Sequence, residues 1–263
     1  MSHSPAPDYG LDAPGVVRNL FLCGAGGIVL WLSKVLGWWP AQVVVPIGSA
    51  RLLFPLDQMG LLAGALCLGM GVWMIWTSKV GKLRERETLL DLVPWTGREQ
   101  VLDVGCGRGL MLVGAARRLT TGKATGVDIW QAEDLSGNHP EATLENARRE
   151  GVADRVAVET ADMRKLPFPD GSFDVVVSNA AIHNLYAAPD RAQAIEQIAR
   201  VLKPGGRVVI DDIRHGREYV AAFTAAGCRA RNTGSAVAAL VLTLLTWGSL
   251  RPCRIEVEKP ASL

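Results

Sequence analysis

The chain has 263 residues, with 28 basic against 26 acidic side chains, a formal net charge of +2 and 49% hydrophobic residues. A balance that even excludes nucleic-acid binding driven by charge alone. The five cysteines (Cys23, Cys67, Cys106, Cys228, Cys253) are scattered and form no C-x-x-C pair, which excludes a disulfide framework and a zinc ribbon and fits a reducing compartment for the soluble part.

Residues 1–16 read as a disordered leader; with no basic stretch before the first apolar run, they do not read as a signal peptide. Asn19 to Ser33 carries no charge, Lys34 interrupts, and Val35 to Ala50 is uncharged again. Gln58 to Ser78 is a second run of 21 residues without charge. A spanning helix needs ~20 apolar residues. Glycines within these runs suit close helix contact in a membrane, and Trp31, Trp38, Trp39, Trp73 and Trp76 near their ends suit the headgroup layer. Residues 17–78 are therefore expected to form two transmembrane helices, the first ending near Trp38 with Lys34 snorkelling to the interface. Pro40 and Pro46 fall to the loop or a re-entrant piece. Lys79, Lys82, Arg84 and Arg86 follow the second span, which predicts a multi-pass cell-membrane protein with its large domain cytoplasmic. The competing reading is a helical hairpin buried inside a soluble protein.

Residues 79–98 are expected to form an amphipathic helix and linker, ended by "PWTGREQ". From residue 99 strands and helices alternate. "VLDVG", "KATGVDI", "VAVETAD", "FDVVVSN" and "RVVIDD" read as strands. "RGLMLVGAARRLT", "PEATLENARREG" and "DRAQAIEQIARVL" read as helices, with "KPGG" a turn that stops the last. "GREYVAAFTAAGC" continues as a helix and "CRIEVEKP" as a final edge strand. Such alternation argues for a parallel sheet with helices on both faces and ligands beyond the carboxyl ends of the strands.

"VLDVGCGRG" runs from a strand through Gly105, Gly107 and Gly109 into a helix. Glycine permits the tight turn and a close ligand, and a helix start offers amides to an anion. A lone G-x-G-x-G fits several cofactors. Asp103 precedes the glycines, and Asp128 ends the next strand 25 residues later, where an acid can accept both hydroxyls of a ribose. The spacing is not G-x-G-x-x-G, which weakens a dinucleotide reading.

Residues from about Glu99 to Asp211 resemble the class I S-adenosylmethionine-dependent methyltransferases, in their small-molecule and lipid-modifying branch. Four stretches carry the resemblance in order: "VLDVGCGRG", "GVDI", "ETADMRKLPFPDGSFDVVVSN" and "ARVLKPGGRVVIDD". It implies an α/β fold over 99–263, a Rossmann-like seven-stranded methyltransferase sheet preceded by the transmembrane hairpin, with S-adenosyl-L-methionine as cofactor. It further implies that Gly105 and Gly107, with Cys106 as filler between them, line the methionine moiety and that Asp103 orders the amino group. Asp128 would hold the ribose, and Ile129 would pack on the adenine. Asp162 would accept from the adenine amino group, the Met163 backbone would pair with the ring edge, and Asn179 would face the methionyl part. Leu166 and Phe168 would pack nearby, and "RKLP" would be a solvated face.

His183, four residues past the fourth strand, is the candidate general base, set against a loop-packing histidine. Asn184, Tyr186 and His215 are weaker candidates. Asp211 and Asp212 could bind an amine or shape the pocket, Trp130 adds bulk beside the cofactor, and His139 is expected at the surface. Ser178, Asn179, Ala180 and Ala181 replace the D/N-P-P-Y of amino-methylating DNA enzymes, no Pro-Cys nucleophile is present, and no basic, aromatic-interleaved stripe supports RNA. Ser235 to Leu250 is uncharged over 16 residues and is expected to form an interfacial or pocket-covering helix. The expected partners are thus a small-molecule or lipid-like acceptor and the lipid bilayer, and no nucleic acid. The expected function is methyl transfer at the membrane, or binding of the same cofactor by an anchored scaffold without turnover.

Overall fold

The computed structural model describes residues 6–38, 43–48, 50–131 and 133–261; Trp39 and Pro40 lie outside them. The chain packs as two units, Gly10–Lys82 with Glu133–Ser136, and the remainder.

In the first unit, α1 (Pro14–Val35) and α2 (Leu56–Trp76) pack together through glycine. A Cβ built on Gly27 would lie 2.3 Å from the Gly60 carbonyl oxygen, and one on Gly64 3.0 Å from that of Gly24. Only residues without side chains let two backbones approach so closely. Lys34, near the end of α1, pairs with Asp57 at the start of α2, and Asp57 is 6% exposed. Trp73 and Trp76 stack with centroids 5.2 Å apart. The outward sides carry Leu22, Val29, Leu62, Leu66 and Val72, all exposed. Both helices are long and apolar enough to cross a membrane by length and composition, and only 11% of each apolar window is buried. That exposure disfavours a hairpin buried inside the protein.

Between the helices, β1 (Val43–Ile47) and β2 (Ala50–Phe54) pair antiparallel, with Pro46 opposite Arg51. The expected loop or re-entrant piece is therefore a β-hairpin; the run of valines explains the strand, and Gly48 at φ +61° turns it. The helix that begins at Leu56 does not stop at 78. A π-helical stretch over Thr77–Gly81 re-phases it, and it continues as α3 (Lys82–Leu90).

In the second unit the described leader residues are packed against the domain, where disorder was expected. Tyr9 is 5% exposed, its hydroxyl donates to Glu150, and Arg86 reaches the Glu150 carboxylate at 3.0 Å. Asp8 and Asn146 exchange two hydrogen bonds of 2.9 Å. Burial holds the Tyr9 hydroxyl well above the usual tyrosine pKa.

The sheet has seven strands: β3 (Gln100–Val104), β4 (Lys123–Asp128), β5 (Val156–Thr160), β6 (Phe173–Asn179), β7 (Leu202–Asp212), β8 (Arg229–Asn232) and β9 (Cys253–Glu258), in the order β5-β4-β3-β6-β7-β9-β8. The first five in that order are parallel, and β9 runs antiparallel to both neighbours. The expected final edge strand is thus interior, and the edge is β8. Successive residues of β6 and β7 serve opposite faces. Val176, Val208 and Ile210 face a core with Ile195 and Ile198 of α6 (Ala188–Val201) and Tyr219 and Phe223 of α7 (Gly216–Ala225). Val175, Val177 and Val209 face α3 and α4 (Leu110–Ala116). "KPGG" is not a separate turn. It is a bulge within β7, where the β6 register jumps from Phe173↔Leu202 to Val175↔Arg207 and Gly205 takes φ +79°. The remaining helices are α5 (Pro140–Arg149) and α8 (Ala236–Leu245).

The glycine contact yields a test. Gly27→Leu forces the helices apart and destabilises the hairpin by ~1–3 kcal/mol, the range for overpacking. Gly26, with no atom within 4 Å of a built Cβ, accepts leucine nearly neutrally. Denaturation of the two full-length variants in detergent checks the difference; equal losses contradict the packing.

Candidate cofactor and acceptor site

The glycine turn is tied down on both sides. Gly105 and Cys106 N–H groups donate to the Val127 carbonyl at 2.9 and 3.1 Å, and Gly107 N–H donates to Asp128 Oδ2 at 2.8 Å. Gly105, Gly107 and Gly109 all have positive φ. A Cβ on Gly105 would sit 2.3 Å from the Ala181 Cβ, so only glycine fits where the turn meets the loop after β6. Cys106 is buried, and burial pushes its thiol well above the usual range, which makes it an inert packing residue. Helix α4 is regular over seven residues only, so its end contributes less than a full-length helix would.

Asp103 is 1% exposed beneath this turn. Its Oδ2 accepts the Leu112 N–H at 2.8 Å, while its buried Oδ1 has no partner. Burial, with a smaller contribution from Asp128, raises its pKa to about 8 against the lowering effect of the Leu112 amide. A carboxyl in this state recovers its charge when a cation arrives at the open oxygen.

Asp128 ends β4. Its Oδ1 accepts the Trp130 N–H at 2.6 Å, and it shares Oδ2 with Gly107. A carboxylate offers about four acceptor positions, so capacity remains for a diol. Ile129 beside it is half exposed and offers an apolar face. Asp162 is gripped by Arg164, whose Nε and Nη2 approach its oxygens at 2.6–3.0 Å, and Arg164 also reaches Asp190 at 2.8 Å. Arg164 holds the Asp162 carboxyl below the usual carboxylate range. The Met163 Cε lies against Gly105.

At the end of β6, Asn179 is partly buried and in register with Asp211. The loop beyond returns His183 over β7. His183 is 16% exposed, and its Nδ1 lies 2.6 Å from Asp212 Oδ1, within ion-pair reach although off the angle of a formed hydrogen bond. Asp212 is fully buried and well satisfied. It accepts from His183 N–H and the Tyr219 hydroxyl at 3.1 Å each and from Ile213 N–H at 2.7 Å. Three non-glycine residues with positive φ, Trp130, Ala180 and His215, follow β4, β6 and β7 at this same edge. Strained backbone of this kind is held only where the surroundings impose it.

Residues 102–210 match the family described as "Methyltransferase domain". The chain is 34% identical over 191 residues to the 27-O-demethylrifamycin SV methyltransferase of Amycolatopsis mediterranei, covering 70% of this chain and 65% of that one. It is 37% identical over 116 residues to the demethylmenaquinone methyltransferase of Symbiobacterium thermophilum, covering 42% and 41%. The chain thus spans less than two thirds of these relatives. The sheet domain is a class I S-adenosylmethionine-dependent methyltransferase domain of the small-molecule branch. Its fold matches the solved geranyl diphosphate C-methyltransferase from Streptomyces coelicolor, with a TM-score of 0.52 at 19% identity over 67% of this chain and 75% of that chain.

The residues of this methyltransferase domain fit S-adenosylmethionine, the cofactor of the family. The orphan Oδ1 of Asp103 suits an ammonium, Asp128 a ribose diol and Ile129 an adenine face. Asp162 is the exception, since Arg164 takes most of its acceptor capacity; "RKLP" is accordingly not a plain solvated face. Leu166 is buried in the core, and Phe168 packs edge-on to Phe173 at 5.0 Å. His139 caps α5, accepting the Ala142 N–H, and is largely exposed. Tyr186 is 97% exposed, and His215 contacts Glu218 at 2.9 Å. Sequence reading missed Arg164, Tyr219 and Arg254. Arg254 pairs with Glu85 and lies 3.4 Å from Asp211. Glu85, Asp211 and Arg254 line a cavity of about 290 Å³ roofed by Ser235, Ala238 and Leu242. Burial raises Asp211 to about 6 against the pull of Arg254, with Glu85 and Asp212 adding to the rise.

The Asp103 state has a signed consequence. Its folded pKa of about 8 exceeds the ordinary 3.8, so the stability it allows in its protonated form is lost as pH rises across that interval. Asp103→Asn is neutral there. It should raise the melting temperature of the cofactor-free protein more at pH 8.5 than at pH 5, while weakening S-adenosylmethionine about 10- to 100-fold, the range for a charged hydrogen bond. Thermal melts and calorimetry check both; unchanged affinity contradicts the assignment.

Proposed function

We propose that the chain is a membrane-anchored methyltransferase acting on a small apolar, lipid-like acceptor, with its catalytic domain in the cytoplasm. The observation that carries this reading is the pair α1 and α2, whose apolar windows are 11% buried in a chain that also holds the glycine turn and its acids. Side chains such as Leu22, Leu62 and Leu66 stay exposed unless lipid covers them. The demethylmenaquinone relative supports an apolar acceptor by analogy. Lys79, Lys82, Arg84 and Arg86 after the second helix support the orientation.

When bound, S-adenosylmethionine supplies an electrophilic methyl group on a sulfonium. The chain's own residues orient the partners and move a proton. Asp103 would hold the cofactor's ammonium and Asp128 its ribose diol. His183 stands at the carboxyl edge, where an acceptor hydroxyl, amine or carbon acid would lose its proton. Asp212 beside Nδ1 favours the tautomer with hydrogen on Nδ1 and leaves Nε2 as the base. The imperfect angle between them is usual in a ligand-free site and tightens with ligand. Tyr219 and the Ile213 amide hold Asp212 in place, so Asp212 is a positioning residue.

The test incubates the full chain in vesicles with S-adenosylmethionine labelled on its methyl carbon and a lipid extract, and reads label in the organic phase. Transfer supports the reading; a folded, cofactor-binding protein that transfers nothing to any extract contradicts it. With the acceptor in hand, His183→Gln should lower kcat about 10²–10⁴-fold, the range for positioned proton transfer. Cofactor affinity should stay nearly constant. Asp212→Asn should lower kcat less and shift its pH profile. Near-normal turnover with a lowered melting temperature means that His183 only packs the loop.

A further inference from the structure

Helix α8 joins β8 to β9 and carries no charge; the uncharged stretch extends from Asn232 to Leu250. Ser235 caps it, accepting the Ala238 N–H at 3.2 Å. Among the described residues of α8 none is buried. Val237, Leu240, Val241 and Leu244 recur at helical spacing on one face, 47–73% exposed, and Trp247 just beyond is 97% exposed. The other side of the helix, through Ala238 and Leu242, roofs the cavity holding Asp211 and Arg254. The outward face is an apolar ridge that the methyltransferase domain itself leaves uncovered.

The charges around the ridge select what covers it. No acidic residue occurs between Glu218 and Glu256, whereas Arg229, Arg231, Arg251 and Arg254 do. Arg231 and Arg254 are paired with acids, and Arg229 stands opposite Glu258 at the start of β8. Arg251, beside Gly248 just past the ridge, is exposed. A second copy would bring the same arginine against this one. A bilayer presents hydrocarbon to the ridge and anionic headgroups to Arg251, and it gives Trp247 the interfacial setting that tryptophan favours. We propose that the outward face of α8, with Trp247, is an in-plane bilayer contact of the methyltransferase domain, separate from the α1–α2 anchor. It sets the roof of the Asp211 cavity against lipid, where an apolar acceptor is dissolved. This proposal rests on the membrane reading above.

The full chain is reconstituted in vesicles of phosphatidylethanolamine and phosphatidylglycerol, with a photoreactive benzoylphenylalanine placed in turn at Leu244, Leu240, Leu66 of α2 and the exposed Thr224 of α7. Leu240, Leu244 and Leu66 are 60%, 70% and 66% exposed, so the substitutions do not disturb a core. The expected result is lipid adducts at Leu66, Leu240 and Leu244 and none at Thr224. Replacing phosphatidylglycerol with neutral phosphatidylcholine should lower the Leu244 yield about five-fold or more, the factor for losing one arginine's attraction to an anionic surface. Lipid adducts at Leu66 alone leave the anchor standing and overturn the contact. Adducts of Leu244 to a second copy overturn it in favour of self-association. No lipid adduct at any position removes the anchor reading and this proposal together.

Discussion

A carboxyl group sealed beneath a glycine turn is the constraint on which the site depends. Asp103 must lie at the end of β3 to take the Leu112 amide, and the turn must pass over it without side chains. Gly105 meets Ala181 where a Cβ cannot fit, so the turn and the loop after β6 are placed together. The turn is then pinned to β4 through Val127 and Asp128. One buried acid, three glycines and two strand ends thus fix the positions from which every other ligand-facing group is offered. An unpartnered buried oxygen is costly, and a cation placed at it would recover that cost.

Asp212 shows the opposite solution. It is as buried as Asp103, yet it collects amide, hydroxyl and imidazole partners. In the proposed mechanism such an acid would hold His183, while Asp103, with one open oxygen, would take the cofactor's ammonium. The difference between the two comes from their count of donors. Arg254 sets a third environment, in which Asp211 is partly buried and opposed by one guanidinium.

Much of the sheet was legible because strand and helix periods are written directly into hydrophobic spacing. The interior strands, the glycine turn and Asp128 follow from that pattern. Three features did not. β9 alternates like an edge strand, but β8, only four residues long and polar, lies outside it, and so short a strand leaves little trace in the pattern. The packing of the leader at Tyr9 depends on its meeting Glu150 across 141 residues, which no local signal carries. The Arg164 grip on Asp162 and the Lys34–Asp57 pair are side-chain choices made only in the folded chain, although opposite charges stood at reachable positions. Nothing in the spacing brings His183 to Asp212; only the fold places them together.

Isotope-edited infrared spectroscopy of the full chain tests the central claim most directly, by following the aspartate carboxyl bands as S-adenosylmethionine is added near pH 7. An Asp103 pKa of about 8 means a carboxylic acid band in the free protein that gives way to carboxylate on binding, and no such change in Asp103→Asn. A spectrum with Asp103 already ionised before the cofactor arrives, or unchanged after it, would contradict the claim that this buried acid is held open for the cofactor's ammonium.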